Sequence, residues 1–285
     1  MRREDRRAAG AAAGLAYPTV MLGTLFAIPL GIMVVISFFR KIEGGFYEPV
    51  LTLDNYARFF TAFFAQNLVF SLWVSALAAS IAVAFGFPFA YLLTRLARRW
   101  QVPILVLLLC VLSLSEVIVG FSWSVLLSRT AGLSNVLVWL GLLEDPEAWS
   151  PSLAAVLCGL VYLAFPYTVL VLYPPLARLD REIVEAARTL GAAPATTFAT
   201  VVVPMLRPAI VAAAVLVFVF TLGAYLTPQI LGRPQHWTLS VLITDQAVYQ
   251  ANLPFAAAMA IFLAVVGLGL VAAVLVLARK RGNAA

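Results

Sequence analysis

Glu116 is the one ionisable residue that the sequence places clearly inside a long apolar run, the stretch 102–127. A charge at the centre of a membrane costs about 2.5–3.5 kcal/mol on insertion scales, so such a residue is expected to face protein or water. Its carboxylate could bind or steer a cationic group that passes through the membrane. It could also be a structural carboxyl that is hydrogen-bonded to Ser113, Ser115 or a neighbouring helix.

Catalytic chemistry has little support in the sequence. A phosphate-binding loop needs Gly-Lys followed by Ser or Thr, but Lys41 follows Arg40 and Lys280 follows Arg279. If ATP is used, another polypeptide must therefore bind it. His236 is the single histidine and no Cys/His spacing typical of a metal site is present. We expect no catalytic residues, no metal site and no cofactor in this chain.

A second candidate region lies at the end of a later apolar run, where glycine and proline recur over residues 223–232. Broken backbone at membrane depth is tolerated only where it is buried in protein or lines a cavity. The region therefore predicts a bent helix end that contributes Tyr225, Thr227 and Gln229 to a pathway, together with Glu116. The alternative is a helix that simply ends at the interface, with Tyr225 as an interfacial aromatic residue.

A charged loop at 178–208 predicts a small helical element on one aqueous face. Asp180 can accept an orphan backbone N–H and begin a short helix, and Leu179 before it and Val184 after it can form a hydrophobic staple. Gly191 suits a left-handed stop, and Pro194 can open a second short helix. The apolar side chains of the first helix share one face: Leu179, Ile183, Ala186, Ala187 and Leu190. Such an element is typical of a docking part.

The same loop resembles the EAA loop of binding-protein-dependent ABC importer permeases. The family pattern is Glu-Ala-Ala, three residues, Gly, nine residues, an aliphatic residue, any residue, Leu and Pro. It falls here on Glu185, Ala186, Ala187, Gly191, Val201, Val203 and Pro204. Val201 and Val203 stand where Ile and Leu are usual. The resemblance implies that Glu185, Ala186, Ala187, Gly191 and Pro204 couple this chain to an ATPase.

Membership of that family would imply a complex. The partners would be a homologous second permease, two ATP-binding subunits that hold ATP and Mg, and an extracytoplasmic solute-binding protein. Residues 86–93, residues 123–127 and the Thr227-Pro228 turn are similar to the polyamine-type branch, so a polyamine or related organic cation is the expected solute. Relatives often carry acids where this chain has Ala224 and Gln229, which weakens the case for a multiply charged cation.

The composition requires a membrane protein. Hydrophobic residues make up 63% of the chain, charged residues 11%, and the mean hydropathy is +1.00. A soluble domain is about half apolar and about a quarter charged. Cys110 and Cys158 both lie in apolar runs, so no disulfide framework is implied. We expect one permease domain over residues 1–285.

Six apolar runs are each long enough to cross a hydrocarbon core of about 30 Å. Lipid cannot satisfy free backbone groups, so each run should be helical. The expected fold is therefore all-α with six transmembrane helices, and the resemblance implies that it is the type I ABC importer permease fold. The runs cover residues 15–38, 67–93, 102–127, 152–173, 209–231 and 254–278. The first is too long for a typical signal-peptide core and is interpreted as an uncleaved helix.

Charge sets the expected orientation. With the N-terminus inside, the outer loops hold only Arg40, Lys41, Arg58, Arg129 and Arg233. The other basic residues then lie inside: Arg2, Arg3, Arg6, Arg7, Arg95, Arg98, Arg99, Arg178, Arg181, Arg188, Arg207, Arg279, Lys280 and Arg281. This bias predicts a multi-pass membrane protein with both termini in the cytoplasm, and the resemblance implies that the membrane is the bacterial cytoplasmic membrane. The basic excess then reflects topology, and no nucleic-acid partner is implied.

Two other functions stay open on sequence grounds. A secondary transporter driven by an ion gradient would need charged relays inside its spans, and Glu116 alone is available. A membrane assembly protein that transports nothing would need neither the relay nor the loop. The spacing of the loop at 178–208 favours the importer permease over both.

Overall fold

The computed structural model describes residues 2–42 and 44–282, and in this part of the chain the regular structure is helical. Its one isolated β-bridge pairs Arg40 with Glu48. The helices, in chain order, are α1 (Arg2–Ser37), α2 (Asp54–Ala57), α3 (Ala62–Arg95), α4 (Arg98–Ser113), α5 (Glu116–Leu126), α6 (Leu133–Trp139), α7 (Leu153–Ala177), α8 (Arg181–Thr189), α9 (Pro194–Thr197), α10 (Val203–Met205), α11 (Arg207–Gly223), α12 (Leu226–Leu231), α13 (Leu239–Thr244) and α14 (Leu253–Gly282). The expected all-α fold is confirmed.

Four helices in the described part of the chain are long and apolar enough to cross a membrane: Pro18–Ser37, Ala62–Arg95, Leu153–Ala177 and Leu253–Val276. Two further segments reach that length only as bent pairs, namely α4 with α5 and the segment Pro194–Met205 with α11. Counting each bent pair as one span gives six, the number expected from the sequence. The second pair differs from the expected run 209–231, because it begins at Pro194 inside the loop at 178–208 and ends at Gly223.

The third run, expected as one helix over 102–127, is interrupted. Helix α4 ends at Ser113, α5 begins at Glu116, and the two axes differ by 97°. Leu114 and Ser115 between them have extended backbone, with ψ of 140° and 135°, so the helical hydrogen-bond ladder stops there.

The fifth run, expected over 209–231 with a bent or broken end, is also interrupted. Helix α11 ends at Gly223, Ala224 is extended with ψ of 130°, and α12 begins at Leu226. The sequence predicted this broken end from its glycine and proline content, and the structure confirms the break. At its start, α11 meets the preceding segment Pro194–Met205 at 76°.

Residue contacts divide the chain into two compact units. The first comprises Met1–Thr61 and Ile243–Ala264. In it, the buried side chain of Asn55 donates from Nδ2 to the backbone oxygens of Ser37 and Phe39, both at 2.9 Å. These two bonds fasten α2 to the end of α1. Residues 283–285, which the orientation argument places in the cytoplasm, lie outside the described residues.

The second unit comprises Ala62–Leu242 and Val265–Ala285, and its core has two main clusters. Helices α3 and α7 contribute to both. The loop-side cluster also draws on α4, α8 and the segment 202–213, and its members are Phe87, Ala90, Leu93, Leu108, Val169, Leu172, Leu176, Val184, Val202, Leu206 and Ala213. The break-side cluster also draws on α12 and on the residues that follow α5 and α11, and its members are Val74, Ala78, Leu127, Ala155, Val156, Leu160, Ala224 and Leu231.

Candidate functional site

The charged loop at 178–208, called the docking loop from here on, has the local structure that its sequence predicts. Asp180 Oδ1 accepts the backbone N–H of Glu182 at 3.0 Å, and α8 begins at the next residue after the cap. After the helix, Gly191 has φ of +90°, the left-handed conformation that glycine adopts most readily. Pro194 occupies the first turn of α9. The cap, the stop and the second helix are therefore confirmed.

Val184 anchors helix α8 to the core. Val184 is 1% exposed and belongs to the loop-side cluster, so it holds the helix against the ends of α3 and α7. Of the expected apolar face, Leu179 packs against the same cluster, whereas Ile183 is 41% exposed and Leu190 is 89% exposed. Glu185 is exposed as well. Ile183 in α8 and Leu190 directly after it therefore present apolar surface near an acidic side chain.

The loop at 178–208 packs against the start of the fifth span. Val202 and Leu206, on either side of the short helix α10, are 0% and 8% exposed in the loop-side cluster. Pro204 lies between them in α10 and is half-buried. The loop at 178–208 and the start of α11 therefore share one buried cluster.

Glu116 and Thr227 lie together, although 111 positions separate them in the sequence. Glu116 Oε1 accepts the hydroxyl of Thr227 at 3.0 Å and its backbone N–H at 3.2 Å. Thr227 is fully buried and Glu116 is half-buried. Ser113, which the sequence offered as a partner, donates instead to the backbone oxygen of Leu109 at 3.0 Å. The carboxylate thus bonds to the first turn of α12.

Two glycines let α12 approach its neighbours closely. A Cβ at Gly120 of α5 would lie 2.9 Å from Ile230 Cδ1, and one at Gly159 of α7 would lie 2.7 Å from Leu231 Cδ1 and Thr227 Cγ2. Real Cβ contacts are not that short, so larger residues there would displace α12. Sequence reasoning missed both positions; the available signal was glycine inside an apolar helix, which often marks close helix packing.

The remaining pathway candidates flank this contact. Tyr225 precedes α12 and is 37% exposed, while Gln229 is half-buried one turn later, and its backbone N–H donates to Tyr225 O at 3.0 Å. The structure therefore gathers Glu116, Tyr225, Thr227 and Gln229 around the break in the fifth span. Glu185, Ala186, Ala187, Gly191 and Pro204 lie apart from them in the docking loop.

Over residues 2–42 and 44–282, no group of three His, Cys, Asp or Glu side chains could hold a metal ion. Cys110 and Cys158 are both free thiols. His236 stacks at 6.4 Å on Phe70 and accepts the N–H of Arg233 through Nδ1 at 3.4 Å, which places it in a structural turn. The described groups offer hydrogen bonding and packing, and they suggest no bond-making chemistry.

Comparisons with known proteins agree with these features. Residues 67–283 match the family described as "Binding-protein-dependent transport system inner membrane component". The spermidine/putrescine transport system permease protein PotB of Salmonella typhimurium is 31% identical over 230 residues, 81% of this chain and 80% of that protein. PotB of Escherichia coli K12 is 30% identical over 230 residues, with 81% and 84% covered.

A solved structure has the same fold. A chain from the crystal structure of a bacterial ABC transporter involved in the import of the acidic polysaccharide alginate superposes with a TM-score of 0.78. The match covers 97% of this chain and 98% of that chain. Because the sequence identity is 18%, it supports the fold alone.

The family match assigns the chemistry of ATP to another chain. In such systems the ATPase is a separate subunit and the permease carries no cofactor, as the sequence predicted. The protein is multi-pass and resides in the inner membrane. Because the family model covers residues 67–283 and the PotB proteins match four fifths of its length, this chain belongs to the inner membrane permeases of binding-protein-dependent ABC importers.

Proposed function

We propose that this permease imports a small organic cation, with polyamines as the leading class. The observation that carries the proposal is the similarity to PotB over four fifths of the chain. It is supported by Glu116, a single negative charge beside a broken membrane helix, because a carboxylate in a site of low dielectric attracts a passing ammonium group.

The proposed pathway lies along the break between α11 and α12. Tyr225 and Gln229 would contact the solute, since both retain exposed surface. Thr227 is fully buried, so its part would be to orient the carboxylate of Glu116 through the two hydrogen bonds. An aromatic face and an amide suit an ammonium group through cation–π attraction and hydrogen bonding.

The proposed energy input enters through the docking loop at 178–208. The exposed apolar face of α8, with Ile183 and Leu190, would insert into the ATPase subunit, and Glu185 would meet a complementary group there. Closure of the ATPase pair would push α8, and the buried side chains around Leu206 would transmit the displacement to α11. Gly191 and Pro204 would fix the loop geometry, while Ala186 and Ala187 would keep the contact close.

We extend the proposal to the assembly and its orientation. The complex would contain this chain as one permease domain, a homologous second permease, two ATP-binding subunits and an extracytoplasmic solute-binding protein. The crystal structure of the alginate transporter in complex with its periplasmic protein supports the last partner. The basic residues outside the predicted outer loops support cytoplasmic termini and a cytoplasmic docking loop.

Uptake measurements test the solute. The permease is expressed with its own partner subunits in cells that lack polyamine uptake, and entry of radiolabelled spermidine is measured. We expect uptake that excess putrescine inhibits and that the neutral sugar xylose does not. If spermidine does not enter although the assembled complex hydrolyses ATP, the polyamine assignment is wrong.

The role of the charge is tested by Glu116→Gln. The amide oxygen can accept the same two hydrogen bonds from Thr227, so the contact is kept and only the negative charge is lost. We expect lower uptake of the cation with normal protein level and assembly. The matched control is Glu144→Gln, an exposed acid on an outer loop of the proposed topology. Equal uptake by both variants would contradict a solute-attracting role for Glu116.

A further inference from the structure

The two interruptions in the predicted spans lie side by side. Glu116 is the first residue of α5, directly after the break at Leu114 and Ser115. Thr227 is the second residue of α12, directly after the break at Ala224 and Tyr225. Since Glu116 Oε1 accepts two hydrogen bonds from Thr227, one carboxylate connects the two breaks.

Beyond the breaks, α5 and α12 run alongside each other in the same direction. Glu116 meets Thr227 at their beginnings, and one turn later Gly120 meets Ile230. Leu127, directly after α5, and Leu231, the last residue of α12, are both members of the break-side cluster. Helix α12 therefore contacts α5 along its whole length, first by hydrogen bonds, then by close packing at Gly120, and finally in a shared core.

The segments before the breaks belong to different surroundings. Leu108 of α4 and Ala213 of α11 are members of the loop-side cluster, which also contains Val184 of the docking helix α8. A displacement of α8 therefore acts first on that cluster. Extended residues at the two breaks carry no helical hydrogen-bond ladder, which makes them the natural places for bending.

From this arrangement we propose that Glu116 is a positioning residue that clamps α5 to α12. The two helices move as one body through the transport cycle, and bending occurs at residues 114–115 and 224–225. This clamp goes beyond the solute proposed above and does not depend on it, because the contacts join two parts of the protein whatever is carried.

A cysteine pair at positions 120 and 230 tests the clamp. A Cβ built on Gly120 lies 3.7 Å from Ile230 Cβ, within the about 3.5–4.5 Å range of disulfides. Replacing Ile230 also removes the Cδ1 atom that would crowd the new side chain. The variant Gly120→Cys/Ile230→Cys is made without Cys110 and Cys158 and purified as the complete importer complex. Either single-cysteine variant is the matched control.

Oxidative cross-linking is measured without nucleotide and after trapping with ATP and vanadate. We expect equal yields in both states, and equal ATP hydrolysis before and after the cross-link is reduced. A several-fold drop in yield in one state would show that α5 and α12 separate. Loss of hydrolysis that reduction restores would show the same, and absence of the cross-link in both states would refute the contact itself. None of these readouts uses a solute, so failure here is distinct from failure of the polyamine assignment.

Substitutions at the carboxylate and the hydroxyl isolate the clamp in the same cysteine background. Glu116→Ala removes the acceptor, while Glu116→Gln retains it. We expect the alanine variant to cross-link several-fold less in one nucleotide state, and the glutamine variant to cross-link like the parent. Thr227→Val removes the hydroxyl and keeps the backbone donor, so its cross-linking yield should lie between those of the alanine and glutamine variants. If the alanine variant does not assemble, the yield of Thr227→Val is the test of the clamp. Yields for Thr227→Val and Glu116→Ala that match the parent in both states would overturn the assignment of Glu116.

Discussion

Gly191 allows backbone strain to be separated from side-chain volume in the docking loop. Its φ is +90°, and a Cβ built there has no atom within 4 Å. A larger side chain therefore meets open space, and its cost comes from the left-handed backbone alone. We predict that coupling falls in the order Gly, Asn, Ala, Val, because Asn tolerates this region and a β-branched residue resists it.

The size of the effect follows from that strain. A left-handed backbone costs an ordinary L-residue about 1–2 kcal/mol. One or two kcal/mol corresponds to about a 5- to 30-fold change in a conformational equilibrium. Gly191→Val should therefore reduce the fraction of loops in the docking geometry by about that factor. Insertion of the spans should not change, since the loop lies outside them.

The assay is ATP hydrolysis by the reconstituted complex, stimulated by the solute-loaded binding protein. The matched control is Gly141→Val, because Gly141 has φ of +73° and equally open space but lies in a different loop, the one between α6 and α7. We expect the control to retain stimulated hydrolysis. If Gly191→Val retains it too, or if the Ala, Asn and Val variants behave alike, the backbone argument is refuted and the loop is not the coupling element.

Three further predictions use exposed and buried positions together. The Glu185→Lys variant should insert and assemble with the partner permease but lose stimulated ATP hydrolysis. The control variant Glu144→Lys should retain that hydrolysis, and equal activities of the two variants would exclude a charged contact at Glu185. The Val184→Ala variant should lose about 1.6 kcal/mol of packing free energy, because two buried methyl groups are removed, and its loop should be more sensitive to protease. The Ile183→Ala variant, at an exposed site, should not change protease sensitivity. Equal sensitivity of the two variants would show that Val184 is not the anchor. In a cysteine-free background, an impermeant thiol reagent should label Glu144→Cys but not Ala195→Cys from outside intact cells, and the reverse pattern would invert the proposed topology.

Local features of this protein follow from short stretches of sequence. Asp180, Gly191 and Pro194 begin, end and restart the helices of the docking loop because capping, left-handed backbone and a missing N–H act within a few residues. The six spans follow from apolar length, since a membrane leaves the backbone only helical choices. The broken end after Gly223 followed from local glycine and proline.

Other features depend on which distant residues meet, and these only the tertiary structure decided. The interruption at Leu114 and Ser115 lies in a run that passes as one span by length and composition, and the 97° change of direction there is visible only in the structure. The partner of Glu116 proved to be Thr227, since a carboxylate accepts whichever donor the packing of α5 and α12 brings near it. The loop needed the same information, because its periodicity identified an apolar face but could not say that Leu190 on that face would be 89% exposed. Helical periodicity orders side chains around one axis, and the neighbours that cover them are fixed only when the chain has folded.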